Sequence, residues 1–351
     1  MSDDKLTPLS EIGEFGFINE LSDWCGDYGK ADNLHLGIGD DCAVLDFDEK
    51  HYQLVSTDML TEGVHFDLSY TPLMHLGFKA VASNVSDIYA MNGTPDSIVV
   101  ALGISSKYTY EAVRELYTGI VTACKTYGVT LIGGDTTSSK IGMTISITVM
   151  GKVEKDKLAT RSGAKDKDLL LVSGDLGGAY MGLQVLEREK VVFKAAPTAQ
   201  PVLDNAEYVL KRQLRPEARR DIVEDLAAMG IVPTSMIDVS DGVSSEVLHL
   251  SQKSGVSFAI YDEKLPVDPQ TRDIALEFNM DPSTAALNGG EDYELLFTIK
   301  QSDFEKLKDS PNYSVIGYAQ PLQDGNVLID SNGKQHDIKA QGWNAFTEDR
   351  L

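Results

Sequence analysis

The sequence predicts a mixed α/β fold in two domains, and three observations lead to that prediction. Short apolar runs typical of strands alternate with longer segments of helical periodicity along the whole chain. The 351 residues suffice for two domains of ordinary size. The stretch 152–167 is rich in charge and glycine and lacks apolar periodicity, which is typical of a junction. We therefore expect an N-terminal domain at 1–151 and a C-terminal domain at 152–351.

In the first half, each expected element is an apolar pattern bounded by turn residues. Thr71 is the expected N-cap of a long helix, with Pro72 at its first position, and the run Asn92-Gly93-Thr94-Pro95 ends that helix. The strand before it, at 52–56, is expected to end at Thr57-Asp58. The other expected elements are helices at 14–22 and 109–127, a segment at 36–45 that enters an acidic loop, and strands at 97–104, 129–132 and 141–149.

The second half repeats the alternation of strands and helices. Acidic residues stand at expected strand ends in both halves, and loops at strand ends share one rim in such folds, so we expect a ligand site there. The expected strands lie at 169–172, 235–238, 257–261, 293–299 and 313–318, and the expected helices at 179–188, 202–213, 217–229 and 242–254, with a loop at 190–200.

A set of aspartates, each beside glycine, serine or threonine, is the most informative pattern in the chain. Hard cations such as Mg²⁺ take oxygen ligands and keep several waters, so carboxylates next to small residues suit them. The chain has no GxxxxGK[ST] phosphate loop. These segments therefore predict Mg²⁺ ions that hold ATP; they are Gly39-Asp40-Asp41, Ser56-Thr57-Asp58, Asn84-Val85-Ser86-Asp87, Gly133-Gly134-Asp135-Thr136 and Asp238-Val239-Ser240-Asp241-Gly242.

Most of these segments also fit an ordinary turn or cap, and the residues alone leave both interpretations open. The Gly133-Gly134-Asp135 segment fits a hairpin turn or an anion-binding nest, and Ser240 or Asp241 fits a helix cap. Arg161 lies in a loop that suits phosphate oxygens or a solvated linker. Asp87 is different, because it stands inside an apolar helix, where a buried carboxylate needs a partner.

Composition narrows the classes of function. The net charge of −23 argues against nucleic-acid binding, which requires basic surface. No apolar run reaches the length of about 18 residues that a membrane span needs. The first residues are polar and acidic, unlike an export signal, and the three cysteines lack metal-type spacing. We expect no membrane partner, reduced thiols and a cytoplasmic location.

Taken in order, these motifs resemble those of the thiamine-monophosphate kinases, a family within the superfamily of aminoimidazole ribonucleotide synthetase. The resemblance covers nearly the whole chain. It implies a two-domain fold of the synthetase type, with N-terminal sheets that pair across a homodimer. The motifs are GIGDDCA at 37–43, STD at 56–58 with EGVHF at 62–66, NVSDI at 84–88, LIGGDTT at 131–137, TRSGAK at 160–165, DVSDG at 238–242 and GGEDYEL at 289–295.

The resemblance also implies an activity, which is Mg²⁺-dependent transfer of the γ-phosphoryl group of ATP to thiamine monophosphate, giving thiamine diphosphate and ADP. We expect direct in-line transfer without a general base, because the acceptor is already an anionic phosphate; Asp135 and Arg161 would support the transition state. A need for K⁺ stays open. By analogy, the metal ligands are Asp41, Ser56, Thr57, Asp58, Asp87, Asp135, Asp238 and Asp241, the ATP contacts are Gly134, Asp135, Arg161 and Ser240, and the substrate contacts are His65, Glu291 and Trp343.

Two alternatives remain at this stage. One is an ATP-dependent synthetase of the same superfamily that acts on an aminoimidazole-type substrate. The other, from a different class, is a non-catalytic acidic module that binds cations or nucleotides. Trp343 also fits two interpretations, since its ring either faces the cationic thiazolium of the substrate or anchors the C-terminal tail.

Overall fold

The computed structural model describes residues 7–26, 31–198 and 200–340. Within these ranges the chain forms ten α-helices and thirteen strands, which confirms the mixed α/β class. No helix among the described residues is long and apolar enough to cross a membrane. The helices are α1 Leu9–Gly26, α2 Leu73–Ala90, α3 Tyr110–Tyr127, α4 Gly178–Ala195, α5 Glu207–Leu214, α6 Arg220–Ala228, α7 Val243–Ser254, α8 Pro269–Glu277, α9 Pro282–Asn288 and α10 Phe304–Leu307.

The strands form two sheets that follow one another in the chain. The first has six strands in the order β1-β2-β3-β6-β4-β5, and the second has seven in the order β13-β12-β9-β11-β7-β10-β8. The strands are β1 Leu34–Leu36, β2 Ala43–Asp46, β3 His51–Thr61, β4 Thr94–Ile104, β5 Thr130–Ser138, β6 Thr144–Glu154, β7 Leu169–Ser173, β8 Ser235–Asp238, β9 Ser257–Tyr261, β10 Leu295–Ile299, β11 Tyr313–Gln320, β12 Val327–Ile329 and β13 Gln335–Asp337.

The segment between the sheets lies close to the expected junction. The last strand of the first sheet ends at Glu154 and the first strand of the second begins at Leu169. The division at 151 and 152 remains a prediction, because the largest hydrophobic core includes residues of both sheets, such as Val149 and Phe297.

The helix α2 connects the two sheets. It contacts β3, β4 and β6 of the first sheet and also β8 of the second. Fourteen of its eighteen residues are buried. Its polar residues are therefore held at fixed positions between the sheets, and this is the reason why Asp87 can meet residues more than 150 positions away.

Two glycines allow α2 and α3 to approach each other closely. A Cβ atom added at Gly77 would lie 2.1 Å from the Leu116 carbonyl oxygen, and one added at Gly119 would lie 1.9 Å from the Met74 carbonyl oxygen. Neither neighbour can yield without a backbone shift, since both are main-chain atoms of a packed helix.

We expect Gly119→Ala to lower the free energy of unfolding by about 3 kcal/mol, since the added methyl overpacks the α2–α3 contact. Chemical denaturation of the purified variant measures this. Thr118→Ala, on the exposed face of the same helix, is the matched control and should change stability by less than about 0.5 kcal/mol. Equal stabilities of the two variants would contradict the packing argument.

Two expected strand boundaries were wrong. The strand β3 pairs with β6 over all eleven residues, from His51 to Thr61, so Ser56, Thr57 and Asp58 lie in its middle and not at its end. The strand β5 likewise continues through Gly133-Gly134-Asp135, which pair in parallel with Val99–Ala101 and form no turn. In both cases a neighbouring strand supplies backbone hydrogen bonds that no local pattern reveals.

Two helix boundaries also differ from the prediction. The helix α4 continues to Ala195, so the expected loop at 190–200 is helical over its first half; no glycine or proline interrupts the chain between Gly182 and Pro197. Pro72 takes the N-cap position of α2, without a side-chain cap, so Thr71 does not serve as the N-cap.

The two faces of the first sheet differ in what covers them. Leu54 and Leu60 of β3 point to the inner face and are buried, whereas Thr57 and Met59 point outward and are exposed. Strand β6 shows the same alternation along its length. Met59 is 57% exposed. The inner face lies against α2, and the outer face is open in the single chain.

Candidate active site

Three aspartates from three separate elements converge where α2 passes between the sheets. Asp41 lies in the loop between β1 and β2, Asp87 in the last turn of α2, and Asp238 at the end of β8. One carboxylate oxygen of each lies within 4.8 Å of the other two. Asp41 and Asp238 are buried. Three of the predicted metal ligands are therefore brought together.

Hydroxyl groups orient two of these carboxylates. Ser56 Oγ donates a hydrogen bond of 2.5 Å to Asp87 Oδ2, and Ser86 Oγ donates one of 2.6 Å to Asp238 Oδ2. Asp58 lies on the same strand face as Ser56, and its backbone N–H donates to the Asn84 side chain at 3.1 Å. Sequence reasoning did not assign a role to Ser86, although it stands directly before Asp87 in the NVSDI motif.

Mutual repulsion and burial make the cluster unfavourable when it is fully ionised. Burial first, and then the charge of Asp41, raises the pKa of Asp58 to about 6 and that of Asp238 to about 8. Burial, Asp58 and Asp238 raise the pKa of Asp87 well above its usual value. Asp41 Oδ2 is buried without a hydrogen-bond partner among the described residues. This donor set fits a divalent cation, which takes oxygen ligands and offsets the like charges.

The raised pKa values predict how stability depends on pH and on metal. Asp58 and Asp238 have pKa values above 3.8 in the folded chain, so the folded state binds more protons than the unfolded state between about pH 4 and 8. Without metal, we expect stability to fall as pH rises through this window. Mg²⁺ should bind the ionised carboxylates and raise the melting temperature more at pH 8 than at pH 5. Calorimetric scans in EDTA and in Mg²⁺ measure this, and equal shifts at both pH values would contradict it.

Arg161 lies against the same cluster. Its Nη2 donates to Asp41 Oδ1 at 2.7 Å, and its backbone N–H lies 3.2 Å from both carboxylate oxygens of Asp40. Ser254 holds the loop, since its Oγ accepts from the Gly163 backbone N–H at 3.1 Å and donates to the Arg161 carbonyl at 3.1 Å. The loop is therefore an ordered part of the site and does not behave as a solvated linker.

The DVSDG and GGEDYEL segments meet through their backbones. The Glu291 N–H donates to the Ser240 carbonyl at 2.7 Å, and the Asp241 N–H donates to Glu246 Oε1 at 2.9 Å. Burial raises the pKa of Asp241 to about 6, and Glu14 adds to the rise. Gly242 is the N-cap of α7 and no side chain caps that helix, so neither Ser240 nor Asp241 acts as its cap.

His65 and Glu291, two of the expected substrate contacts, lie near enough for the charge of Glu291 to act on His65. His65 Nδ1 accepts from the Thr61 N–H at 3.0 Å. Burial lowers the pKa of His65, and the nearby charge of Glu291 opposes that change. Lys79 and Gln213 also contact Glu291, at 2.7 and 2.9 Å, and sequence reasoning missed both. The available signal for Lys79 was a charged residue inside the apolar run of α2, which is the same signal that singled out Asp87.

The other two acids of the GGEDYEL motif support the fold. Asp292 accepts from the backbone N–H groups of Gly177 and Ala179, at 2.6 and 3.2 Å, where α4 begins. Glu294 accepts from Arg212 at 2.8 Å and also from Arg219. These contacts fix the loop before β10, and so the place of Glu291.

Other predicted ligands lie apart from this cluster within the single chain. Asp58 is aligned across β6 and β4 with Gly134, three strands away, whereas Asp135 is aligned with Met59 on the outer face. Neighbouring strands lie about 4.8 Å apart, so the backbones of Asp58 and Gly134 are roughly 14 Å from each other. Thr57 also points outward, where its Oγ1 donates to the Ile147 carbonyl. Trp343 lies outside the described residues.

Gly134 itself is tightly packed, and its neighbours form a shallow surface cavity. An added Cβ would lie 2.0 Å from the Val100 carbonyl oxygen, so only glycine fits that position of β5. Tyr117 of α3 and the strand residues 131–136 line a cavity of about 540 Å³. The strand residues 132–136 are exposed, so this cavity lies at the surface of the chain.

Comparisons with known proteins show which family this chain resembles. The family model for AIR synthase related protein, N-terminal domain, matches residues 39–153. The thiamine-monophosphate kinase of Bacillus subtilis (strain 168) is 30% identical over 340 residues, which cover 95% of this chain and 100% of that protein. The thiamine-monophosphate kinase of Aquifex aeolicus (strain VF5) is 34% identical over 339 residues, covering 96% and 99%.

A solved structure has the same fold over nearly the whole chain. It is AaThiL complexed with AMPPCP and TMP, with a TM-score of 0.83 and 31% sequence identity, and the match covers 98% of this chain and all of that one. The similarity therefore extends through both sheets. The chain belongs to the thiamine-monophosphate kinase family.

Proposed function

We propose that this chain is a kinase that transfers the γ-phosphoryl group of ATP to the phosphate of thiamine monophosphate, giving thiamine diphosphate and ADP. End-to-end similarity to thiamine-monophosphate kinases supports the substrates. The observation that carries the chemistry is the convergence of Asp41, Asp87 and Asp238 within 4.8 Å. The synthetase and the non-catalytic module are less consistent with these relatives.

Residues of both sheets would hold Mg²⁺. Asp41, Asp87 and Asp238 are the central ligands that we propose, with Asp58 and Asp241 at neighbouring positions and Ser56 as a support for Asp87. When bound, Mg²⁺ offsets the repulsion between the two phosphate groups and stabilises charge on the group in transfer. The number of ions and a need for K⁺ stay open.

The chain's own residues would position the reactants for direct in-line transfer. Arg161, held by Asp41, presents a guanidinium group that suits phosphate oxygens of ATP. Ser240 lies at the junction of the DVSDG and GGEDYEL loops, where we place another ATP contact. His65 and Glu291 would face thiamine monophosphate on the side of the site that Lys79 borders. The acceptor phosphate is anionic, so no side chain needs to act as general base.

A homodimer would explain the position of Gly134 and Asp135. Both lie on β5, away from the aspartate cluster of their own chain, and Asp135 shares the open outer face with Met59. Exposed apolar groups on a sheet face favour association. We propose that the outer faces of two first sheets pack together, so that Asp135 contributes to the ATP site of the partner subunit. A cytoplasmic location remains a prediction from the sequence.

The test is a reaction of the protein with ATP, Mg²⁺ and thiamine monophosphate, with thiamine diphosphate and ADP both quantified. We expect equimolar products, lost on chelation of Mg²⁺ and restored by its addition. ADP formation only with an aminoimidazole-type substrate would favour the synthetase. ATP binding without turnover for any acceptor would favour the non-catalytic module.

A further inference from the structure

The lysine at position 79 is buried inside α2. The whole residue is 2% exposed, and the residues on either side of it, Phe78 and Ala80, belong to the hydrophobic core. Lysine is almost never buried to this degree unless its charge is paired. Its ammonium group lies 2.7 Å from Glu291 Oε1 and 3.5 Å from the Gln213 carbonyl. The partner of this buried charge is therefore a residue of the candidate substrate site.

Both oxygens of the Glu291 carboxylate are bound by side chains of the protein. Lys79 contacts Oε1, and Gln213 Nε2 donates to Oε2 at 2.9 Å. The two residues come from different helices, α2 and α5, which contact each other. A carboxylate bound at both oxygens by fixed donors has one orientation, and a charged donor makes the stronger of the two contacts.

The backbone of Glu291 is restrained as well. Its φ of 66° lies in the left-handed region, which a residue with a side chain adopts only where the surroundings require it. The hydrogen bond from its N–H to Ser240 fixes this conformation. Gly290 before it has no room for a side chain, since an added Cβ would lie 2.3 Å from the Ser240 carbonyl oxygen.

The carboxylate is nevertheless open to the site. The Glu291 side chain is 26% exposed, against 3% for Lys79. His65 lies near enough for both charges to affect it. The exposed part of the Glu291 carboxylate can thus accept a hydrogen bond from a bound molecule, while Lys79 and Gln213 bind its buried side.

We propose that Lys79 is a positioning residue that sets the affinity for thiamine monophosphate by orienting the Glu291 carboxylate, with Gln213 as its assistant. The inference rests on the proposed function, since it assigns Glu291 to the acceptor side of the site. Lys79 reaches the substrate only through Glu291, and neither it nor Gln213 touches the aspartate cluster in the contacts described above. Its loss should therefore affect the acceptor and leave ATP and metal binding unchanged.

The test compares Lys79→Met with Glu291→Gln and with the double variant. We expect Lys79→Met to raise the KM for thiamine monophosphate roughly 10- to 100-fold, the range for loss of a hydrogen bond to a charged group. The KM for ATP should stay at the wild-type value. In the Glu291→Gln background, Lys79→Met should add little, because a residue that acts through a carboxylate has no effect once that carboxylate is gone.

Two further variants separate positioning from stability. Lys155→Met removes a surface lysine that pairs with Asp46 at 2.6 Å, and it should leave both KM values unchanged. Gln213→Leu removes the second donor at similar volume and should raise the KM for thiamine monophosphate by a smaller factor. Thermal unfolding of each variant shows whether it is folded. If Lys79→Met does not fold, the KM of Gln213→Leu for thiamine monophosphate is used to test the proposal instead.

Folded Lys79→Met with a wild-type KM for thiamine monophosphate would overturn the proposal, as would additive effects of Lys79→Met and Glu291→Gln. An equal rise in both KM values would also overturn it, since that is the result of a general structural role. Calorimetric titration with thiamine monophosphate in the absence of ATP gives the same comparison without turnover. The kinase function and this inference can fail separately. If the wild-type protein binds thiamine monophosphate but makes no product, and Lys79→Met binds it more weakly, the kinase function is refuted and this inference is still supported.

Discussion

Replacement of Asp87 by asparagine should lower kcat at least about 1,000-fold, equivalent to roughly 4 kcal/mol of transition-state stabilisation. Asp87 shares the aspartate cluster with Asp41 and Asp238, and asparagine cannot supply the negative charge that a divalent cation needs. The measurement is steady-state formation of thiamine diphosphate at saturating Mg²⁺.

The fold should survive this change. Burial and the nearby carboxylates of Asp58, Asp238 and Asp41 raise the pKa of Asp87, so its charge opposes folding and its neutral analogue should be at least as stable without metal. Mg²⁺ should raise the melting temperature of Asp87→Asn less than that of the wild type. Asp96→Asn, the same change at an exposed position of β4, is the control and should keep full activity. Near-normal turnover of folded Asp87→Asn would refute its role as a metal ligand.

Mixing two inactive variants should restore activity if the site is shared between subunits. Asp135→Asn and Asp87→Asn are each expected to be inactive as homodimers. In a heterodimer, one site would combine the intact Asp87 cluster of one chain with the intact Asp135 of the other. Random exchange makes about half of the dimers heterodimers, each with one complete site, so we expect about a quarter of wild-type activity.

The matched control for this experiment is a mixture of Asp87→Asn with Asp238→Asn. These residues belong to one cluster of the same chain, so every site in that heterodimer lacks one ligand and activity should stay absent. Co-expression with two different affinity tags isolates the heterodimers, and these should form product at about half of the wild-type rate per dimer, since one of their two sites is complete. Recovery in the control, or no recovery with Asp135→Asn, would refute the shared site. A monomer in analytical ultracentrifugation would refute the dimer itself.

Much of the fold follows from local patterns. The helices α3 and α7 and the strand β8 begin and end within a residue or two of their predicted positions, since each is an apolar pattern closed by turn or capping residues. The errors fall where the deciding contact is distant. Strands β3 and β5 are longer than predicted because β6 and β4 pair with the extra residues.

The sequence predicted the residue types of the candidate site, but it predicted their arrangement in space only in part. The residue types of the motifs, together with an aspartate inside an apolar helix, predicted ATP and Mg²⁺; ATP agrees with the family, and Mg²⁺ stays a prediction. The partners of those residues were not predictable, because Ser86 and Asp238, like Lys79 and Glu291, are separated by more than 150 positions. Lys79 in particular has no motif around it, and its role depends on what the second sheet places opposite it.

The sequence by itself indicated the class of chemistry, since several aspartates beside small residues supply the oxygen ligands that hard cations take. It also determined most elements, through periodicity and capping residues. Only the tertiary structure decided which carboxylates share one site. Side chains alternate between the two faces of a strand, so Asp58 faces α2 while Asp135, three strands away, faces outward. That division depends on strand register, and register is set by pairing between distant segments.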